Sequence, residues 1–268
     1  MDSPAPQLQL PVIQMEDVAA GSMLDPSLVA AEGIHWSVQA GDYWVVAGLQ
    51  GSGKSDFLMM TGGVLPPLSG RYRLFGEDMP IFDQARLNQR LRLGLVFDGG
   101  QLFNHLTVSE NVSLPLRYHR NLTPAEAEPD VRAVLKAMEL EPWADSTPGA
   151  IGPNWQKRVG LARALMLRPE ILLVDNPLAG LDLRHLQWWL DFLDKLLQGH
   201  PLFGGKAMTL VATTADLRPW KTRAHQFAII EGKQFRVLGA WQQVEEASGE
   251  LVQELLMTER EGNSGTPG

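Results

Sequence analysis

Residues 48–55 read Gly-Leu-Gln-Gly-Ser-Gly-Lys-Ser, a complete G-x-x-x-x-G-K-S. Glycines at 48, 51 and 53 let a backbone wrap closely round a polyphosphate with its N–H groups turned inward. Gly48, Gln50, Gly51, Ser52 and Gly53 supply that cradle, Lys54 is spaced to reach the β- and γ-phosphates, and Ser55 to ligate Mg²⁺ through its hydroxyl. Asp56 stands where a hydroxyl residue is usual and puts a carboxylate near the phosphates, which weakens binding somewhat. A Gly-rich turn of no function would carry the same glycines. Here, however, an apolar strand, Tyr43–Ala47, runs into the segment and a helix, Lys54–Thr61, leaves it, so the positive end of a helix adds to the cradle. Ile171-Leu172-Leu173-Val174-Asp175 is a second chemistry-bearing element, an apolar strand ending in an acid. Such strand ends are common and mostly structural, but beside a phosphate loop Asp175 can hold the Mg²⁺ shell. Loop and strand together make a nucleotide site the leading reading.

The elements that must position these residues alternate. Residues 71–75 alternate, with Gly76 as a turn after them, and further strands are expected over 93–97, 171–175, 209–213, 227–230 and 234–238. Helices are expected over 125–140, with Val131, Val134, Leu135 and Met138 at helix spacing, and over 186–197, where Leu186, Trp189, Leu190, Leu193 and Leu197 form a core stripe. The pattern predicts an α/β fold with a buried, mostly parallel sheet. Residues 1–10 are expected to be flexible, and 259–268 disordered. Leu251, Val252, Leu255 and Leu256 suggest a short amphipathic helix, packed either on the domain or on a partner. The tryptophans, Trp188 and Trp189 among them, read as packing groups, and Glu139, Glu141 and Asp145 as a solvated helix end.

Composition sets limits. The chain has 268 residues, 44% of them hydrophobic, which is enough for one large domain or two small ones. Its 23 basic and 31 acidic side chains give a formal charge of −8, a poor balance for broad nucleic-acid binding. There is no cysteine, which excludes disulfides, thiolate metal sites and thiol catalysis. No apolar run is long enough to span a bilayer, and the N-terminus lacks the basic and apolar regions of a secretory signal. A soluble, cytoplasmic chain is expected.

With these motifs in order, residues 11–246 resemble the nucleotide-binding subunit of an ABC transporter. Residues 48–55 match its Walker A loop. Val96-Phe97-Asp98 and the run from Leu102 to Val112 resemble the Q-loop and the entry to a helical subdomain of about 99–168. Ile151-Gly152-Pro153-Asn154-Trp155-Gln156-Lys157-Arg158-Val159, followed by Leu161-Ala162-Arg163-Ala164-Leu165, is similar to the signature motif and its helix, 171–175 to Walker B, Leu178 to Asp182 to the D-loop, and Thr213-Thr214-Ala215-Asp216-Leu217 to the switch-histidine strand end. The stretch from Asn111 to His119 is similar to the Mla-type lipid-trafficking ATPases. The resemblance implies a P-loop NTPase fold of ABC type, with a mostly parallel core sheet, an antiparallel β edge and the inserted helical subdomain. Residues 247–268 would form a C-terminal helix and tail. It also implies ATP and Mg²⁺ as ligands, with Ser55, Asp175 and Asp98 toward the metal. Partners would be a second nucleotide-binding subunit, as homo- or heterodimer, and a separate transmembrane permease, on the cytoplasmic face of the membrane.

Against the family pattern, Asn176 replaces the carboxylate base that orients the attacking water, and an amide cannot accept its proton. Asp98 replaces the Q-loop Gln, and Ala215 the γ-phosphate-binding His. Gly152, Pro153 and Asn154 replace Ser-Gly-Gly, with loss of a hydroxyl and, at Pro153, of an N–H. No aromatic stands near 21–23 to stack on adenine, where Met23 could pack instead. Asp182 and Asp98 are the carboxylates that could substitute as base. Together these departures predict nucleotide holding with very slow or absent hydrolysis and a structural or regulatory role. Three readings compete with it: an active ATPase with non-standard residues, a pseudo-ATPase scaffold that no longer binds nucleotide, and a P-loop kinase, for which no lid or acceptor site is evident.

Overall fold

The computed structural model describes residues 10–25, 27–79 and 87–257. The expectations for residues 1–9 and 258–268 lie outside them. Three of the parallel strands are buried along their whole length. β3 (Tyr43–Ala47), β7 (Ile171–Val174) and β8 (Thr209–Thr214) are buried at every position, as strands covered on both sides must be. β6 (Leu93–Val96) pairs parallel with β7, β7 with β8, β8 with β3, and β3 with β9 (Gln226–Glu231). β10 (Gln234–Gly239) returns antiparallel to β9.

The antiparallel edge is built from β1 (Ile13–Gly21), β2 (Val29–Val38), β4 (Pro67–Leu74) and β5 (Glu77–Asp78). In β2, buried Ile34, Trp36 and Val38 alternate with exposed His35 and Ser37, the pattern of a strand with one wet face. β2 and β10 join the wing to the parallel sheet through the single pair Glu32–Gln234, reinforced by a Gln234 Nε2–Glu32 Oε1 hydrogen bond of 2.7 Å.

Helices cover both faces. On one, α1 (Lys54–Thr61) packs against the wing, where Phe57 sits between Trp36 and Phe235 with ring centroids 5.3 and 5.2 Å away. After α2 (Leu87–Arg90), the helices α3 (Val108–His119), α4 (Pro124–Ala137), α5 (Pro153–Leu165), α6 (Leu183–Gln198), α7 (Trp241–Glu246) and α8 (Glu250–Leu256) belong to the other side. Trp189, Leu190 and Leu193 of the expected α6 stripe are buried, and Leu186 and Leu197 pack partly buried beside them. α8 packs on its own domain through Leu251, Val252 and Leu255, and the Leu255 carbonyl accepts from Leu217 N at 3.1 Å. Glu139 is exposed, as expected, and also forms an ion pair. α4 stops at Ala137, Glu139 turns left-handed (φ 58°), and its carboxylate meets the buried Arg158 guanidinium at 2.9 Å.

The registers Ala47–Thr214, Val96–Val174 and Val174–Ala212 bring the carboxyl ends of β3, β6, β7 and β8 to one edge of the sheet. At such an edge an open α/β sheet presents its ligand site.

Candidate functional site

Four segments leave that edge side by side: 48–53 after β3, 97–101 after β6, 175–182 after β7, and 215–216 after β8. The loop after β3 is braced from three strands. Gly48 N donates to Thr214 O at 3.1 Å, and a Cβ on Gly48 would lie 2.8 Å from Ile230 O. Gly53 has φ 93°, and a Cβ there would be 2.4 Å from Ala30 O, so only glycine fits. Lys54 is buried, and its Nζ donates to Gly48 O and Leu49 O at 2.7 Å each, with Ser52 Oγ at 3.4 Å. Burial lowers its pKa to about 8, against an opposing pull from the Asp175 charge. Ser55 is exposed on the first turn of α1. Asp56 borders the cavity beside the loop and accepts from Met23 N at 2.7 Å, which ties the 22–24 turn to α1. Beside the loop lies a cavity of about 630 Å³, bordered by Ala30, Gln50, Lys233, Glu250 and Glu254.

Asp175 is buried and accepts from Thr213 Oγ1 at 2.6 Å, while the same hydroxyl oxygen accepts from Asn176 N at 2.9 Å. Thr213 therefore holds the end of β7 from the neighbouring strand, a role its place in a strand does not announce. Asn176 takes a left-handed conformation, φ 46°, which asparagine tolerates better than most residues. Its Nδ2 is 3.4 Å from Asp98 Oδ2. Ala215 is exposed directly after β8.

Asp98 and Asp182 are both engaged. Asp98 Oδ1 is 2.9 Å from the Lys157 ammonium. Asp182 caps α6, accepting from His185 N at 2.9 Å, with His185 Nδ1 at 2.7 Å from its other oxygen. The backbone bond from His185, followed by the ring contact, holds the Asp182 carboxyl below the usual range and makes it a weaker base. Gly152 is the N-cap of α5 and offers no side-chain cap, and Pro153 occupies the first helical turn. Asn154 Nδ2 reaches Asp182 Oδ2 at 3.4 Å. Gln156 turns back to Pro148 O and Ile151 O, at 2.9 and 3.1 Å. So Lys54, Asp98, Asp175 and Asn176 gather at one edge, whereas Gly152, Pro153 and Asn154 stand beside Asp182 at the head of α5. Lys157, which stands in the signature-like run, reaches from α5 into the first group through its contact with Asp98.

Fold and loop together define a P-loop nucleotide-binding domain. Residues 31–179 match the family described as ABC transporter. The chain is 32% identical over 221 residues to the probable sulfate/thiosulfate import ATP-binding protein CysA of Chlorella vulgaris, covering 81% of this chain and 88% of that one. It is 30% identical over 220 residues to the spermidine/putrescine import ATP-binding protein PotA of Trichodesmium erythraeum, covering 81% of this chain but only 54% of that relative. Among solved structures, the dimeric bacterial ABC transporter cassette MJ0796 superposes with a TM-score of 0.72 at 27% identity, over 83% of this chain and 95% of that one. The chain belongs to the ABC transporter family, as its ATP-binding domain.

Proposed function

We propose that this chain is the ATP-binding subunit of an ABC-type membrane transport complex that holds ATP–Mg²⁺ and hydrolyses it very slowly or not at all. One observation carries the reading: a complete, glycine-braced phosphate loop opens onto an edge where Asn176, Asp98 and Ala215 supply no free base and no imidazole. Gly48, Gln50, Gly51, Ser52, Gly53, Lys54 and Ser55 would cradle the phosphates. The hydroxyl of Ser55 and the carboxylate of Asp175 are the hard oxygen donors Mg²⁺ takes alongside phosphate. When bound, the metal would neutralise phosphate charge; the chain's own residues would orient the nucleotide. Residues 11–246 would form the domain, with about 99–168 as its helical insertion, and 247–268 would be an appendage. The complex would sit on the cytoplasmic face of the membrane, with a permease and a second nucleotide-binding subunit. Similarity of the Asn111 to His119 stretch to Mla-type ATPases makes a lipid-handling permease the first to try.

A single-turnover measurement on the purified chain, reading bound and cleaved ATP together, tests this. ATP is expected to be retained uncleaved, and Lys54→Ala to abolish retention. Turnover at rates ordinary for the family, lost in Lys54→Ala, would overturn it. A second reading, a scaffold that no longer binds nucleotide, draws on the Lys54 ammonium bonded to its own loop carbonyls. Titration with a fluorescent ATP analogue, with and without Mg²⁺, separates the two.

A further inference from the structure

Lys157 lies one turn into α5 and is 8% exposed. Its Nζ meets Asp98 Oδ1 at 2.9 Å and donates to Ala179 O at 2.9 Å and Asn176 O at 3.2 Å. An ammonium has three donors, and here each finds an acceptor. The acceptors come from the loop after β6 and from the loop between β7 and α6, so one side chain ties both to α5. Two further contacts lie along the same helix. Gly160 packs so closely on the loop after β6 that a Cβ there would be 2.7 Å from Gly100 Cα. Arg163 Nη2 donates to Gly100 O and Gln101 O at 2.9 and 3.0 Å. Residues 98–101 are therefore stitched to α5 by a charge pair, a close backbone packing and a guanidinium.

We propose that Lys157 is a built-in cation that takes Asp98 out of metal coordination and fixes the 98–101 loop, the 176–179 loop and α5 as one unit. A carboxylate that ligates Mg²⁺ does so at about 2.1 Å. An ammonium already 2.9 Å from Asp98 repels a dication brought to the same group. Asp98 and Lys157 thus replace a possible metal contact with an internal ion pair. Because α5 carries Gly152, Pro153 and Asn154 at its head, the pair also sets their distance from the edge where Asp175 and Asn176 lie. The metal half of this inference rests on the nucleotide reading above; the stitch does not.

Two measurements on the full-length chain test it, using Lys157→Gln, Asp98→Asn and the double variant. The first is amide exchange without nucleotide. Each single variant is expected to speed exchange in both 98–101 and 176–179 on the order of tenfold, as loss of a hydrogen bond to a charged group implies, and the double variant no more than either single. Unchanged exchange in one loop, or effects that multiply in the double variant, would overturn the stitch. The second is the affinity of a fluorescent ATP analogue across a Mg²⁺ titration. Asp98→Asn is expected to leave the Mg²⁺ dependence as it is. Lys157→Gln frees Asp98 and steepens that dependence, and the double variant loses the gain. Weakened Mg²⁺-dependent binding in Asp98→Asn alone would make Asp98 a metal ligand and refute the metal half. If Lys157→Gln does not fold, Asp98→Asn still decides both measurements. A wild-type chain that binds no analogue defeats the nucleotide reading while the exchange measurement still decides the stitch.

Discussion

Lys54 reports the state of the loop through its own proton. Burial lowers its pKa from 10.5 to about 8. Between those values the unfolded chain binds the extra proton, so the Lys54 contribution to stability rises with pH through that window, and its penalty is complete below it. A bound polyphosphate acts in the opposite sense, favouring the ammonium. Binding above pH 8 must then take up a proton, and affinity must fall with rising pH by up to about tenfold per unit. Calorimetry at pH 8.5 in buffers of different ionisation enthalpy should show that uptake; none would mean that the Lys54 ammonium is already charged in the free loop or does not meet the phosphates. Asn176 gives a second test at this scale. Its amide nitrogen is 3.4 Å from Asp98 Oδ2, so Asn176→Glu sets two carboxylates together in a left-handed position that suits glutamate poorly. Asn176→Glu is expected to lower Tm without starting turnover, and Asp98→Gln added to it to recover part of the loss. The types and spacing of residues 48–55 and 175 were legible in the sequence because loop and strand are local. Thr213 on Asp175 and Lys157 on Asp98 were not, because neighbours across strands and from a distant helix leave no mark on spacing.

Among the elements, those with a single environment along their length were the most legible. β3 and β7 are buried on both faces and read as plain apolar runs, and β8 is equally buried although three of its six residues are threonine. β1 is not uniform in this way: its register with β2 shifts between Met15 and Val18, between Val18 and Ala20, and again before Gly21, so its buried positions lose the period of two. The starts of α3 and α4 are fixed by reciprocal caps. Thr107 accepts from Glu110 N at 3.2 Å while the Glu110 carboxylate accepts from Thr107 N, and Thr123 with Glu126 repeats the arrangement. Thr107→Ala should cost about 1 kcal/mol in denaturant unfolding with no change in m-value. α5 begins with neither device, on Gly152 and Pro153. Its head is held instead by Asn154 on Asp182 and by Gln156 on the preceding loop. Pro153 in the first turn is the one local start signal α5 carries, and no side-chain cap supports it.

At the scale of the whole molecule, the loop and the signature-like segment cannot complete one site within a single chain if two subunits pack head to tail, as the resemblance implies. In a homodimer the departures then fall on both halves of every composite site, and repairing one half is not enough. Two repaired chains make this testable. One carries Asp98→Gln, Asn176→Glu and Ala215→His, which restores the phosphate-loop side. The other carries Gly152→Ser, Pro153→Gly and Asn154→Gly, together with Lys54→Ala so that its own loop is idle. Gly152 has room for the new side chain, since a Cβ there meets nothing closer than Trp155 Cδ1 at 4.0 Å. The first chain alone pairs with an unrepaired signature side, and the second alone lacks a working loop. Each alone should stay near the wild-type rate, whereas the mixture should hydrolyse ATP at least about a hundredfold faster, the effect of regaining well-placed catalytic groups. Equal activity from the first chain by itself would show that Gly152, Pro153 and Asn154 never limited the site. An idle mixture of two folded chains, the first still binding ATP, would show that the halves do not meet head to tail.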